Sequence, residues 1–140
     1  MKNHLIISGY TDITKYLIKN HFNSHTDDLI IIEKDLHSNN LNIEAGNIVN
    51  LIDADSFNHD ALKKANIEKS REILILNDSD SDNIMTLLAI NDVLKESKIV
   101  KPKISIKKDK EENIRIVENI GVNKIVSPTK KIAQMLINDV

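Results

Sequence analysis

The chain of 140 residues contains no cysteine, no tryptophan and only three glycines. The absence of cysteine excludes disulfide bonds, thiol nucleophiles and zinc sites built from thiolates, and it is typical of intracellular proteins. Phenylalanine and tyrosine together make up 3% of the residues. Isoleucine and leucine must therefore form the hydrophobic core.

The chain also has no large excess of charge of one sign and no long apolar segment. Nineteen basic residues stand against 21 acidic ones, for a formal net charge of −2. This balance does not give the basic surface that binds nucleic acids or anionic membranes. No apolar segment approaches the ~20 residues that span a bilayer, and the first residues lack the pattern of a signal peptide. We therefore expect the chain as given to be soluble.

Short apolar segments separated by amphipathic stretches are the main pattern that is present. Several are apolar at nearly every position, which is typical of parallel strands covered on both faces. The alternation predicts an α/β fold, namely a Rossmann-like, doubly wound parallel β-sheet of six strands with helices on both faces. Residues 1–140 show no repeat and no linker and should form a single domain. The predicted strands are 4–8, 29–33, 47–52, 72–76, 102–106 and 124–126.

Capping residues mark the predicted helix boundaries. Asp12 and the Ser/Asp segment 79–82 stand where N-caps are expected. Gly121 follows a predicted helix as a left-handed stop, and Ser127-Pro128 combines a cap serine with proline at the first helical position. The face of the first helix predicted to pack on the sheet consists of Ile13, Tyr16, Leu17 and Phe22.

The first strand and first helix flank an incomplete glycine fingerprint. Dinucleotide-binding domains carry G-x-G-x-x-G at this place, whereas residues 9–14 read GYTDIT. Thr11 and Thr14 replace the glycines that allow close approach of a pyrophosphate and tight helix packing, and Asp12 adds negative charge where a phosphate would lie. Glu33 does stand at the end of the second strand, where an acid normally holds the ribose hydroxyls. We predict no tightly held NAD and leave weak binding of an adenine nucleotide open.

Ligands of open parallel sheets bind beyond the carboxyl ends of the strands, near the point where the strand order reverses. The loops that follow the predicted strands therefore supply the candidates, namely residues 9–12, 33–35, 53–55, 77–82 and 107–109. The chain contains no nucleophile elbow, Walker loop or metalloprotease motif, so no catalytic residue is predicted. The predicted ligand-binding residues are Gly9, Tyr10, Thr11, Asp12, Glu33, Asp55, Asn77 and Asp78.

Two patterns resemble metal sites only in part. Acids at positions 78, 80 and 82 match the start of an EF-hand loop, but Asn83 and Ala89 replace its glycine and glutamate. Capping of the following helix explains these acids better. His21 and His25 have the i, i+4 spacing of helix-borne ligands, without an obvious third ligand. We predict no metal site.

Several segments, in a fixed order, resemble one protein family. LKKANIEKSREILIL (62–76) is similar to that family's L-x-x-A-x-(I/V) helix and fourth strand, and GVNKIVSP (121–128) is similar to its G-A-(D/N)-x-V-(I/V)-(S/N)-P motif. From His4 to the end, the chain resembles the N-terminal lobe of the RCK (regulator of potassium conductance) domain, also called the TrkA-N domain. A single Gly9 followed by Tyr10 resembles the branch associated with prokaryotic potassium channels, because transporter-associated members keep the full fingerprint.

The resemblance implies a regulatory domain on the cytoplasmic side of the membrane that forms a homodimer and then a ring beneath a transmembrane potassium-channel pore. A ligand in the cleft would bias the hinge between paired lobes, and no enzyme activity is expected. In calcium-gated relatives one acid ends the fourth strand and two carboxylates follow the fifth. The matching positions here are Asn77, Lys107 and Asp109, so calcium is not expected at that place.

The predicted last helix begins near residue 128. The resemblance implies that this helix crosses to a partner subunit, and packing back on its own sheet is the alternative. We expect the native protein or its oligomer to continue past the last residue, and pore helices before Met1 remain an open question. The helix carries an apolar stripe of Ile132, Met135, Leu136 and Val140.

Two other functions compete with the channel domain. The first, in the same family, is a separate nucleotide-binding regulatory subunit of a potassium uptake system, which should retain NAD or ATP. The second is a fragment of an NAD-dependent oxidoreductase, which would need a catalytic domain in addition to this one.

Overall fold

The computed structural model describes residues 3–22, 28–35, 49–95, 100–112 and 114–138. Strands and helices alternate along these residues, and a short 3₁₀ turn, Ile67–Lys69, precedes the fourth strand. The elements in chain order are β1 (Leu5–Ser8), α1 (Asp12–Asn20), β2 (Leu29–Ile32), β3 (Val49–Ile52), α2 (His59–Lys64), β4 (Glu72–Ile75), α3 (Asp80–Leu94), β5 (Lys103–Lys107), α4 (Ile114–Ile120), β6 (Lys124–Val126) and α5 (Pro128–Ile137).

The six strands form one parallel sheet in the order β3-β2-β1-β4-β5-β6. The order reverses between β1 and β4, where Ile7 pairs with Leu74 on one side and with Ile31 on the other. The predicted Rossmann-like fold is therefore confirmed. The loops after β1 and β4 meet at the reversal point, which is where ligands of such sheets bind.

Successive residues of β1 point to opposite faces of the sheet, which explains why the whole strand is apolar. Ile6 belongs to the larger core, which α2, α3 and α4 cover with Leu62, Leu87 and Val117 among others. Leu5 and Ile7 belong to a smaller core on the opposite face, to which α1 contributes Ile18. Each fully buried Leu or Ile contributes about 1.5–3 kcal/mol to folding.

The first helix differs from the prediction in its cap and in its buried face. The N-cap is Thr11, whose extended backbone accepts the Lys15 N–H at 3.0 Å, and Asp12 is the first helical residue. Thr14 and Ile18 are the buried residues of α1, whereas Ile13 and Tyr16 are exposed and Leu17 and Phe22 are half-buried. Phe22 packs against the smaller core as predicted, but Ile13 and Tyr16 do not, because Thr14 packs inward and donates its hydroxyl to the Gly9 carbonyl at 2.7 Å.

Three other predicted caps are confirmed. Ser79 accepts the Asp82 N–H at 3.3 Å at the start of α3. Ser127 accepts the Lys130 N–H at 3.4 Å, with Pro128 at the first position of α5. Gly121 follows α4 with a φ of +94°.

The last helix has no buried residue. Ile132, Met135 and Leu136 are 58%, 67% and 76% exposed, and Val140 lies outside the described residues. In the described part, this helix therefore does not bury its stripe against the sheet of its own chain, and its packing on a partner subunit stays a prediction. Each of α1 to α4, by contrast, buries at least one side chain.

Within the described ranges, no helix has both the length and the apolar character that crossing a bilayer requires.

Candidate functional site

The loops that follow β1, β2, β3 and β4 enclose a cleft of about 250 Å³ at the carboxyl edge of the sheet. Five of the predicted ligand-binding residues line it: Thr11, Glu33, Asp55, Asn77 and Asp78. The cleft spans the carboxyl ends of four of the six strands, β3-β2-β1-β4. The complete lining is Thr11, Glu33, Lys34, Ala54, Asp55, Ser56, Phe57, Asn77, Asp78, Ser79 and Asp82.

The other predicted residues lie beside this cleft. Tyr10 and Asp12 line a neighbouring depression, which shares Thr11 and Asp78 with the cleft. Lys15 also lines the depression, with its ammonium 5.3 Å from the centre of the Tyr10 ring. The sheet therefore brings the predicted residues together, and their role in binding a ligand stays a prediction.

Gly9 is required by packing inside the protein. Its φ is +100°, and a Cβ at this position would lie 2.9 Å from both the backbone nitrogen and the side-chain oxygen of Asn77. Real Cβ atoms do not approach backbone atoms so closely, and a positive φ is itself costly for other residues. The single glycine of the fingerprint is thus explained by the loop after β4, without any phosphate.

The backbone donors of the loop after β1 are already engaged. In a glycine-rich loop these N–H groups are the ones that cradle a phosphate. Here each of the three has an acceptor within the protein. The three bonds are Gly9 N–H to Ile32 O at 2.9 Å, Tyr10 N–H to the Glu33 carboxylate, and Thr11 N–H to Thr14 Oγ1 at 3.3 Å.

Glu33 is half-buried at the end of β2. Burial raises the pKa of its carboxyl group, the Tyr10 N–H opposes this effect, and the nearby carboxylates Asp78, Asp82 and Asp55 raise the pKa further. The mutual effect of these acids shows that negative charge is concentrated in the cleft. The Lys34 ammonium is the cation in the lining, 4.0 Å from an Asp55 carboxylate oxygen.

A network of buried amides holds the loop after β4 in place. Asn77 donates its side-chain NH₂ to Ser8 Oγ at 2.8 Å. The fully buried Asn83 side chain accepts the Asn77 N–H at 2.9 Å and donates to the carbonyls of Asn77, at 2.9 Å, and Lys107, at 3.0 Å. These bonds tie the carboxyl ends of β1, β4 and β5 to the first turn of α3. They fix the position of Asn77, against which Gly9 packs.

Lys107 stands at one of the three positions where, by the family resemblance, calcium-gated relatives carry acidic residues. Its buried side chain places the ammonium 3.8 Å from an oxygen of Asp78 and 3.6 Å from one of Asp109. The protein thus supplies its own positive charge between these carboxylates. The absence of calcium binding stays a prediction.

A second ion pair joins α3 to the loop after β5. Asp80 accepts the N–H groups of Asp109 and Lys110 at 2.8 and 2.9 Å, and its carboxylate lies 3.5 Å from the Lys108 ammonium. Burial acts to raise the pKa of Asp80, but these donors and the Lys108 charge outweigh it and hold the pKa below its usual value.

Two residues of the cleft, Ser56 and Phe57, were not predicted; both follow Asp55 directly in the loop after β3. Ala54 and Asp82 lie within the predicted candidate loops 53–55 and 77–82. The loop after β3 was recognisable as a candidate from its position at the end of a strand. No pattern in the sequence indicated that the Phe57 side chain would line the cleft.

In the part of the chain that the structure describes, no group of three His, Asp or Glu residues is arranged to hold a metal ion. His25, half of the predicted histidine pair, lies outside that part.

A family model for the TrkA-N domain matches residues 5–128, from β1 to the first residue of α5. The chain belongs to the TrkA-N domain family. The predicted resemblance is therefore confirmed. Its L-x-x-A-x-(I/V) motif places Leu62, Ala65 and Ile67, all buried, in the larger core. Its GVNKIVSP motif supplies the Gly121 turn and the Asn123 side chain, which accepts the Ile104 N–H at 2.7 Å.

One relative of this TrkA-N domain is a much longer protein. An uncharacterized protein of Methanothermus fervidus is 28% identical over 130 residues, which cover 91% of this chain and 19% of that protein. The chain thus spans about a fifth of the curated relative that it matches.

Solved structures share the fold at low sequence identity. The GsuK structure with bound ADP superposes with a TM-score of 0.77 at 19% identity, over 97% of this chain and 34% of that one. The TrkA-N domain of the inner membrane protein ybaL from Escherichia coli gives 0.77 at 14% identity, over 100% and 98%. The AMP-bound Kef C-terminal domain from Shewanella denitrificans gives 0.66 at 18% identity, over 96% and 76%.

Proposed function

We propose that this TrkA-N domain is the cytoplasmic, ligand-sensing regulatory domain of a potassium channel, and that it binds an adenine nucleotide or nucleoside in the cleft. One observation carries the proposal: the cleft lies at the strand-order reversal of a TrkA-N domain and is lined by loops from four adjacent strands. That GsuK binds ADP and the Kef domain binds AMP supports an adenine ligand.

The cleft is suited to couple binding to movement. It joins Thr11, Glu33, Asp55 and Asn77, which belong to four separate loops, so a ligand between them draws those loops together. A ligand shifts gating only by its difference in affinity for two states, typically about 1–3 kcal/mol for each site. The function needs no bond to be made or broken, so the domain is proposed not to be an enzyme.

Assembly is the second part of the proposal. The exposed apolar stripe of α5, here Ile132, Met135 and Leu136, is proposed to pack on a second copy of the chain and to contribute to a homodimer or ring. A stripe with more than half of each side chain exposed is unfavourable for a helix that remains alone in water.

The binding part is tested by isothermal titration of the chain with AMP. The wild type should bind AMP. Asp55→Trp, which fills the cleft, should abolish binding, and Asp60→Trp, on the exposed first turn of α2, should leave it unchanged. Equal AMP binding by all three proteins, or by none, would contradict the proposed site.

The gating part is tested on the full-length protein in potassium-loaded vesicles. AMP should change the potassium flux of the wild type and not that of Asp55→Trp.

A separate regulatory subunit of a potassium uptake system remains the second candidate, since membership of the TrkA-N domain family fits such a subunit as well as a channel domain. A channel domain should be encoded in one chain with the pore, whereas a separate subunit should be purified without transmembrane segments and retain its nucleotide.

A further inference from the structure

The cleft has unusual chemistry for a nucleotide site. Among the described residues, four carboxylates line it, from Glu33, Asp55, Asp78 and Asp82, and the ammonium in the lining is that of Lys34. The buried Lys107 ammonium, 3.8 Å from an Asp78 oxygen, offsets part of this negative charge. Asp12 adds an exposed carboxylate at the first position of α1, 3.8 Å from the Lys15 ammonium. Asp12 stands where the phosphates of a dinucleotide would lie, and like charges at such distances oppose binding.

Three backbone donors of the loop after β1 are already engaged. The N–H groups of Gly9, Tyr10 and Thr11 are each bonded inside the protein. A diphosphate would have to break these bonds before it could use the donors. It would also meet the Asp12 carboxylate, which cancels part of the attraction of the helix N-terminus for an anion.

The remaining surface of the cleft is suited to an uncharged nucleoside. Ala54 and the half-buried Phe57 supply apolar surface for a purine ring. The Glu33 carboxylate is an acceptor that ribose hydroxyls can reach at the end of β2. Ser56 and Asn77 add neutral polar groups in the same lining.

We propose that the cleft recognises the nucleoside part of its ligand and discriminates against phosphates, so that adenosine binds at least as tightly as AMP and AMP more tightly than ADP. This inference rests on the proposed function, because it assumes an adenine ligand in this cleft. It makes the domain selective for the least phosphorylated adenine compound.

The test is isothermal titration of the 140-residue chain with adenosine, AMP and ADP at low salt and at higher salt. Adenosine should bind at least as tightly as AMP, and AMP should bind more tightly than ADP. Raising the salt from roughly 20 mM to roughly 0.2 M should strengthen ADP binding, because screening weakens repulsion, and should leave adenosine binding unchanged.

A charge variant provides a second measurement. Asp12→Lys should raise the affinity for ADP by roughly threefold or more relative to adenosine, because it replaces a repulsive charge by an attractive one near the phosphates. The matched control is Asp60→Lys, which makes the same charge change in the first turn of α2 and should not alter the ratio of the two affinities.

The possible failures can be distinguished. If ADP binds more tightly than adenosine and its binding weakens with salt, the inference is wrong and the proposed function stands. If none of the three compounds binds, both are wrong.

Discussion

At the scale of single residues, the shape of the site depends on a few residues whose contacts another residue type could not make. Gly9 accommodates the Asn77 backbone, and Asn83 satisfies polar groups of two loops. Thr14 fills the space that a third glycine would leave and bonds to the Gly9 carbonyl. These residues explain how the fold tolerates the loss of two glycines.

Gly9→Ala should destabilise the domain by about 1–3 kcal/mol, because the new methyl group adds a backbone clash to the cost of a positive φ. Gly121→Ala is a matched control, since Gly121 has a φ of +94° but nothing within 4 Å of the added Cβ. Urea denaturation of both variants measures the difference. Equal losses would show that the Asn77 contact does not matter.

Asn83→Asp should reduce the free energy of unfolding by about 3 kcal/mol or more, since it removes two buried donors and sets a charge against two carbonyl oxygens. Asn91→Asp, on the same helix, loses one bond at a half-buried position, from its amide to the Leu87 carbonyl at 3.1 Å. That variant should lose much less. A similar loss in both would contradict the role given to the Asn83 network.

At the scale of elements, the strands could be predicted and the details of the helix surfaces could not. Strands such as β1 and β2 are buried on both faces, and this leaves a continuous apolar run in the sequence. The cap of α1 had two suitable residues side by side, Thr11 and Asp12. The choice depends on the Thr14 hydroxyl and the Gly9 turn, which only the folded loop defines.

The contact between α3 and the loop after β5 should depend on pH. The pKa of Asp80 is lower in the folded protein than its unfolded value of about 3.9. Its contribution to stability is therefore present above that value and lost as the pH falls through the folded pKa.

Asp80→Asn tests this contact. Urea denaturation should show the variant less stable than the wild type at neutral pH, with the gap narrowing in acid below about pH 4. Asp60→Asn, on the exposed start of α2, should show no such gap. A gap for Asp80→Asn that is independent of pH would contradict the role of the charge.

The α5 stripe should govern self-association. Leu136→Glu should shift the chain towards the monomer, because it places a charge in the proposed apolar contact. Lys130→Glu, on the opposite side of the same helix by its spacing, should leave association unchanged. Sedimentation equilibrium distinguishes the two, and a wild-type chain that is monomeric throughout would contradict the dimer.

At the scale of the whole molecule, the sequence was sufficient for the fold and the family, and insufficient for the chemistry of the cleft. The order of the motifs predicted a TrkA-N domain, and the family match over residues 5–128 confirms it. The bonds of Tyr10 and Thr11 and the convergence of Asp78 and Asp82 on Glu33 depend on how separate strands meet. The spacing of residues along the sequence does not predict these contacts.

The central claim is that an adenine compound binds between the loops at the carboxyl edge of the sheet. The most direct test is to titrate the isotopically labelled chain with AMP and to monitor its amide chemical shifts by nuclear magnetic resonance. The account predicts saturable shifts concentrated at residues 10–12, 33–34, 54–57 and 77–79. Unchanged spectra at millimolar AMP, or shifts confined to the exposed side of α3 around Met85 and Leu88, would contradict it.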